Sequence, residues 1–212
     1  MQKKYITNLI KIVQDPIYAL NVLMALIKGL YYVVYFRLLR KNVKIRYPFK
    51  VFSKINIIGS GSVLIDKNCA VLENGFRGLS IVTLSEKASV NIGKNCLLGG
   101  LTIRCQNKVI IKDRTMTANS LIQDVSFVNR DKVQQRVKED NATDEEGVFI
   151  GNNVWLGGHS IILSRTKIGD DSVIGACSLC WNTILDKFCF GSGSPVKRGF
   201  SIERLLQLKG GV

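Results

Sequence analysis

The chain contains a single histidine, His159, and six cysteines, the residue types through which zinc or thiol redox chemistry commonly runs. A zinc centre requires several thiolate or imidazole ligands brought together. The pair in Cys177-Ser-Leu-Cys180 has suitable spacing, yet a redox or zinc pair wants a helix start or further ligands, and the sequence offers one imidazole in total. Both thiols are therefore expected to be buried, acting as small apolar residues, and no metal is expected. Six cysteines without a preceding secretory pattern fit reduced thiols in a cytosolic compartment better than a disulfide framework. The runs Gly59-Ser-Gly-Ser and Gly191-Ser-Gly-Ser are not phosphate loops, because neither ends in Lys followed by Ser or Thr.

The elements that must position these residues change character near Lys44. Before it, residues 5–14 and 17–40 carry helical periodicity, with Asp15-Pro16 as break and restart, since proline is tolerated in a first helical turn. Lys3 and Lys4 are not followed closely by an apolar run and a small-residue cleavage site, so this segment is expected to be retained. From Ile17 to Phe36 only Asn21 and Lys28 are strongly polar, a length sufficient to cross a bilayer. Lys28 near its centre would be costly in a span, which leaves three readings: a helix packed on the protein, one lying on a membrane surface, or a span.

The net charge is +14, from 30 Lys and Arg against 16 Asp and Glu, and partners are expected to be anionic. Residues 1–54 hold eleven basic residues and one acid, Asp15, so ten of the fourteen charges lie in the first quarter. The sequence shows no nucleic-acid recognition motif or interleaved aromatic platform, and no nucleic-acid partner is expected.

After Lys44 the sequence breaks into short β-branched runs separated by Gly, Asn, Asp and Lys. Written in sixes it reads Ile150-GNNVW, Leu156-GGHSI, Ile162-LSRTK, Ile168-GDDSV, Ile174-GACSL and Cys180-WNTIL. A small or β-branched residue falls four places after each first position: Val154, Ser160, Thr166, Ser172, Ser178 and Ile184. Ile58-GSGSV, Ile92-GKNCL and Ile111-KDRTM share the unit. A period of six fits neither an amphipathic helix nor a hairpin sheet and implies a solenoid. Three units make one triangular coil, so Ile150 should stack on Ile168, Leu156 on Ile174 and Ser160 on Ser178. The adjacent Gly or Asn is expected to accommodate positive φ. Ile111 to Ile150 spans 39 residues where one coil needs about 18, so a loop of about 21 residues leaves the solenoid. Long loops on rigid scaffolds often carry function. The expected organisation is a helical segment over 1–43, a solenoid over 44–200 with loop 126–149, and a short helix or tail over 201–212.

The stretch IGNNVWLGGHSIILSRTKIGDDSVIGACSL, Ile150 to Leu179, resembles the hexapeptide-repeat acyltransferases, specifically their sugar and polysaccharide O-acetyltransferase branch. Gly193-Ser194-Pro195-Val196-Lys197 is similar to that branch's Gly-Asn-Pro-Ala-Lys ending. The resemblance implies an all-β, left-handed parallel β-helix with N-terminal helices and a short C-terminal helix. It also implies a homotrimer, acetyl-coenzyme A as donor in a groove between solenoids, and a sugar or glycan acceptor under the long loop. The family tryptophan would be Trp155. Gly157, Gly158, Gly175 and Ala176 would leave a slot for pantetheine, while Lys197 and Arg198 would meet the nucleotide phosphates.

The departure from the family lies in the catalytic base, a histidine just before or at the start of the loop. Gln123-Asp124-Val125-Ser126-Phe127-Val128-Asn129-Arg130 contains none. Two substitutes remain. Asp124 is placed correctly in the chain but would need burial against Phe127 or Val128 to become a useful base. His159 has the right chemistry, but counting back 39 residues puts it over Ser120, four residues before Asp124. The expected activity is acetyl transfer to a sugar or surface-polysaccharide intermediate, at the cytoplasmic side, with a peripheral membrane contact through residues 1–43 as one reading. The alternative is a catalytically silent binding or scaffold protein.

Overall fold

A computed structural model describes residues 15–73, 78–125 and 147–202. The helix expected over 5–14, the interior of the long loop and a C-terminal helix beyond Ile202 lie outside these residues.

One helix, α1 (Pro16–Leu39), precedes the strands. Asp15 caps it, its carboxylate accepting from the Tyr18 amide at 2.9 Å, and Pro16 occupies the first turn where its missing N–H costs nothing. Ala25, Gly29 and Phe36 are buried against the first strands, Val43–Ile45 and Phe49–Val51. A Cβ on Gly29 would stand 1.7 Å from the Phe49 carbonyl oxygen, so only glycine permits this approach.

The strands form three parallel sheets that wind as one triangular prism. The first sheet comprises Val43–Ile45, Ser62–Ile65, Ser89–Ile92, Lys108–Ile111, Gly147–Ile150, Thr166–Ile168 and Ile184–Leu185. The second comprises Phe49–Val51, Cys69–Leu72, Leu97–Gly99, Met116–Ala118, Trp155–Leu156, Val173–Ile174 and Cys189–Ser192, with Lys197–Ser201 added antiparallel. The third comprises Ile55–Ile58, Leu79–Thr83, Leu101–Cys105, Leu121–Asp124, Ile161–Leu163 and Leu179–Cys180. Successive coils stack in register, with Ile111, Ile150 and Ile168 forming one column and Leu156 and Ile174 part of another. These inward side chains are almost wholly buried and make one continuous apolar core.

The small position of the repeat laces coils together. Ser160 donates to Ser120 (Oγ to Oγ, 3.1 Å), Ser172 to the Asp186 carbonyl (3.0 Å), and Ser178 accepts from the Gly193 amide (3.1 Å). All three are buried; Ser172 and Ser178 satisfy backbone groups of the next coil, and Ser160 pairs with the hydroxyl of the coil before it.

Several expectations are corrected. The positive φ expected of corner residues is carried by Asn95 and Asn153 and also by Asp171 and Cys177, whereas among glycines at the second place of a unit Gly59 has it, at 106°, and Gly93, Gly151, Gly157, Gly169 and Gly175 do not. Gly93 and Gly151 are required for space: an added Cβ would stand 2.4 Å from an Asp113 carboxylate oxygen and 2.5 Å from an Asp170 one. Ile58 faces outward while Ile57 enters the core, so the early unit is out of phase with the sequence reading. Ile168 pairs with Leu185, only 17 residues on, which shortens the last unit and leaves Ile184 73% exposed. Cys180 is buried as expected but Cys177 is exposed. The solenoid starts at Val43, the chain rejoins it at Gly147 and the last strand runs to Ser201, against expected limits of 44, 149 and 200.

Candidate functional site

The edge between the second and third sheets gathers most of the residues singled out from the sequence. Two successive coils turn there, through Gly157-Gly158-His159-Ser160 and Gly175-Ala176-Cys177-Ser178. Gly157 and Gly175 lie in close packing, where an added Cβ would come within 2.6 Å of the Ala176 nitrogen and 2.9 Å of the Ser192 Cβ, respectively. Gly158 borders open space, its nearest such contact being the Ala118 oxygen at 3.9 Å. Ala176 is exposed beside it. His159 is exposed at φ 57°, its amide donating to the Ala118 carbonyl at 3.0 Å. Cys177 repeats that conformation one coil on, at φ 55°, with its amide on the Gly158 carbonyl at 2.8 Å. The result is a strip of small residues carrying one imidazole and one thiol.

His159 does not follow Ser120. Thr117 pairs with Leu156 but Leu121 with Ile161, so the coil gains a residue at this corner and Ser120 meets Ser160 instead. His159 thus takes the place of Asn119, another left-handed corner residue, at φ 50°.

Asp124 stands on a different edge, between the third and first sheets, where the chain leaves for the long loop. It is 1% exposed, and its carboxylate accepts from the Asn107 amide (2.8 Å), the Asn107 Nδ2 (3.1 Å), the Lys108 amide and the Cys105 thiol (3.6 Å). Burial holds its pKa above the ordinary carboxylate range, opposed by the hydrogen bonds from Asn107 and Lys108. Asp113 caps the Lys94 amide and Asp170 the Asn152 amide of a preceding coil in the same manner, both at 2.8 Å. Phe127 and Val128, against which burial was expected, lie outside the described residues; among those described, Asp124 is enclosed by groups of the preceding coil and its carboxylate is shaped as a corner clamp.

Replacing Asp124 by Ala leaves two part-buried amides without their carboxylate, and unfolding experiments should show a loss of about 1–3 kcal/mol. The raised pKa adds a sign. The folded state holds this proton to higher pH than the unfolded chain, so stability falls as pH rises from the ordinary aspartate value through the raised one. Asp124→Asn should remove that component of the pH dependence; an unchanged profile would exclude the buried charge as its source.

The remaining donor-side candidates separate. Trp155 is 53% exposed on the outer face of the second sheet, between Met116 and Val173. Lys197 is exposed and pairs with Ser192, at the end of that sheet nearest the glycine strip. Arg198 turns to Asp186, 2.9 Å away, which directs its guanidinium to the opposite edge of the sheet. The sequence reading missed Phe149, where the chain returns from the loop, with the Lys108 and Lys167 ammonium groups 5.9 and 5.8 Å from its ring centre. Its position eighteen residues before Lys167 was the available signal.

Residues 147–180 match the bacterial transferase hexapeptide family (six repeats). The chain is 32% identical to galactoside O-acetyltransferase of Escherichia coli (strain K12) over 46% of its own length and 47% of that enzyme's. It is 48% identical to galactoside O-acetyltransferase of Lactococcus lactis over 24% and 25% of the two lengths. The chain thus spans about half or less of the curated relatives it matches. In structure it resembles a point mutant of AntD, an N-acyltransferase from Bacillus cereus in complex with dTDP and coenzyme A. That match has a TM-score of 0.55 and 16% identity and covers 78% of this chain and 88% of the other. The fold is a left-handed parallel β-helix. The chain carries the bacterial transferase hexapeptide repeat within it.

Proposed function

We propose that this protein transfers an acetyl group from acetyl-coenzyme A to a hydroxyl of a sugar or surface-polysaccharide intermediate. The observation that carries the reading is the strip at one edge of the prism, where Gly158 and Ala176 leave open space beside the exposed His159. The repeat match and the galactoside acetyltransferase relatives support the same class of chemistry. Pantetheine runs along the strip and Lys197 meets the phosphate end of the donor. His159 takes the proton from the acceptor hydroxyl as its oxygen attacks the thioester carbon. The new C–O bond forms, the C–S bond breaks, and the sulfur leaves as coenzyme A thiol after receiving the proton.

A convex edge does not enclose a ligand alone, so a second solenoid must wall it, as in a homotrimer. That assembly would also bring the edge bearing Asp124 in one copy near the strip of its neighbour. Six free cysteines suit a reducing, cytoplasmic location.

The test is release of free thiol from acetyl-coenzyme A in the presence of galactosides and other sugars, with acetylated product identified by mass. Coenzyme A binding without thiol release would assign a silent binding role, which the absence of histidine from Gln123 to Arg130 favours. Absence of both binding and release would overturn the assignment.

A further inference from the structure

The outer side of α1 and the cavity at its C-terminal end have no part in the acyl-transfer reading. Residues advance about 100° each around a helix, so Ala25, Gly29 and Phe36 form one buried stripe. The opposite side presents Leu20, Leu23, Ile27, Leu30, Val34 and Leu38, all exposed. Asn21 and Lys28 fall on one flank and Arg37 on the other. Apolar residues outward with polar groups at the margins are what an interfacial helix requires.

The cavity, of about 770 Å³, opens between the end of α1 and the first coils. Seven cations line it against one carboxylate, Asp66. Arg46 pairs with Asp66 at 3.3 Å and Arg40 is turned onto the Gly59 carbonyl. Arg37, Lys41, Lys44, Lys67 and Lys94 make up the rest. Val33 lines the cavity while its neighbour Val34 belongs to the apolar side, so the cavity adjoins that surface.

We propose that α1 lies flat in the interface of a membrane containing anionic phospholipids, its outer side among the acyl chains and a lipid phosphate in the basic cavity. The helix is long and apolar enough to cross a bilayer by composition. Strands pack along its middle, however, and Gly29 is pressed onto the Phe49 carbonyl, so lipid does not surround it as a span requires. Pairing of two copies through the same side would bring two strongly basic cavities together, whereas an anionic surface neutralises them.

The test is flotation of the full chain with vesicles of phosphatidylcholine alone or mixed with phosphatidylglycerol. The mixed vesicles should bind at least about a hundredfold more tightly, and added salt should weaken that binding. Reversing three exposed cations together (Arg37→Glu, Lys41→Glu and Lys44→Glu) should reduce it at least about tenfold with the thermal melt preserved. Leu30→Ser with Leu38→Ser should weaken binding to the same vesicles. Equal binding to both vesicle types, or no effect of the charge reversals, would overturn the proposal. So would a loss of oligomer size in Leu30→Ser/Leu38→Ser without vesicle affinity in the parent, which would assign the face to a second copy.

Discussion

Ile174→Asp should abolish soluble, folded protein. Ile174 is fully buried and stacks between Leu156 and Gly191 in an apolar column, so a carboxylate there meets neither water nor a partner. The cost exceeds about 4 kcal/mol, a large share of the roughly 5–15 kcal/mol that holds an ordinary domain together. Ile174→Val should cost only about 1 kcal/mol, because it keeps the column apolar. Ile184→Asp supplies the decisive contrast. Its side chain is 73% exposed, and the change should stay within about 0.5 kcal/mol of the parent. Thermal melts and soluble yield read all three. Equal tolerance of Asp at both positions would contradict the inward and outward assignment.

His159→Asn should lower acetyl transfer by about a hundredfold or more while leaving the fold intact. Asparagine is the informative replacement because position 159 has φ 57°, a left-handed conformation that asparagine tolerates and alanine resists. Loss of rate is then not loss of protein. The measurement is kcat/KM for acetyl transfer, with the melting temperature followed in parallel. In an active parent, a change under about tenfold, or roughly 1.4 kcal/mol of barrier, would remove the imidazole from the reaction. Asp124→Ala should behave in the opposite way, losing stability with activity per folded molecule retained.

The solenoid was legible between Ile150 and Cys180 because the ladder advances there by eighteen residues on each face. The earlier coils were obscure for a physical reason. Val43, Val63, Val90 and Val109 are neighbours in one sheet, yet their separations are 20, 27 and 19, since corners absorb extra residues without disturbing the strands. A strict count therefore drifts out of phase, as it did at Ile58. The 39-residue step from Ile111 to Ile150 was correctly read as one coil plus an excursion. What could not be read was the use made of a side chain by another coil. Gly151 looks like a turn residue until Asp170 is seen to need its space, and Asp124 looks available until Asn107 and Lys108 are seen to occupy it. Gly157, Gly158, Gly175 and Ala176 share one edge, but only Gly158 and Ala176 border open space, while Gly157 and Gly175 are needed for close packing between coils. The appearance of His159 on that strip depended on one added residue at a corner.

The antiparallel strand Lys197–Ser201 also bears on how copies of this chain behave in a crowded solution. A stack of parallel strands ends in a row of unmatched amides and carbonyls, which can template the next molecule and seed a filament. Here the final strand of the second sheet is paired by chain running the other way, with Phe200 stacked on Phe190 at 4.9 Å. Reversed polarity denies an incoming parallel strand its register. At the other end, α1 sits on the Phe49 carbonyl and obstructs that row sterically. Removing Lys197–Ser201 should thus leave one uncovered end per particle while α1 still blocks the other, so that particles pair through it, visible as a concentration-dependent doubling of mass in light scattering rather than open-ended fibres.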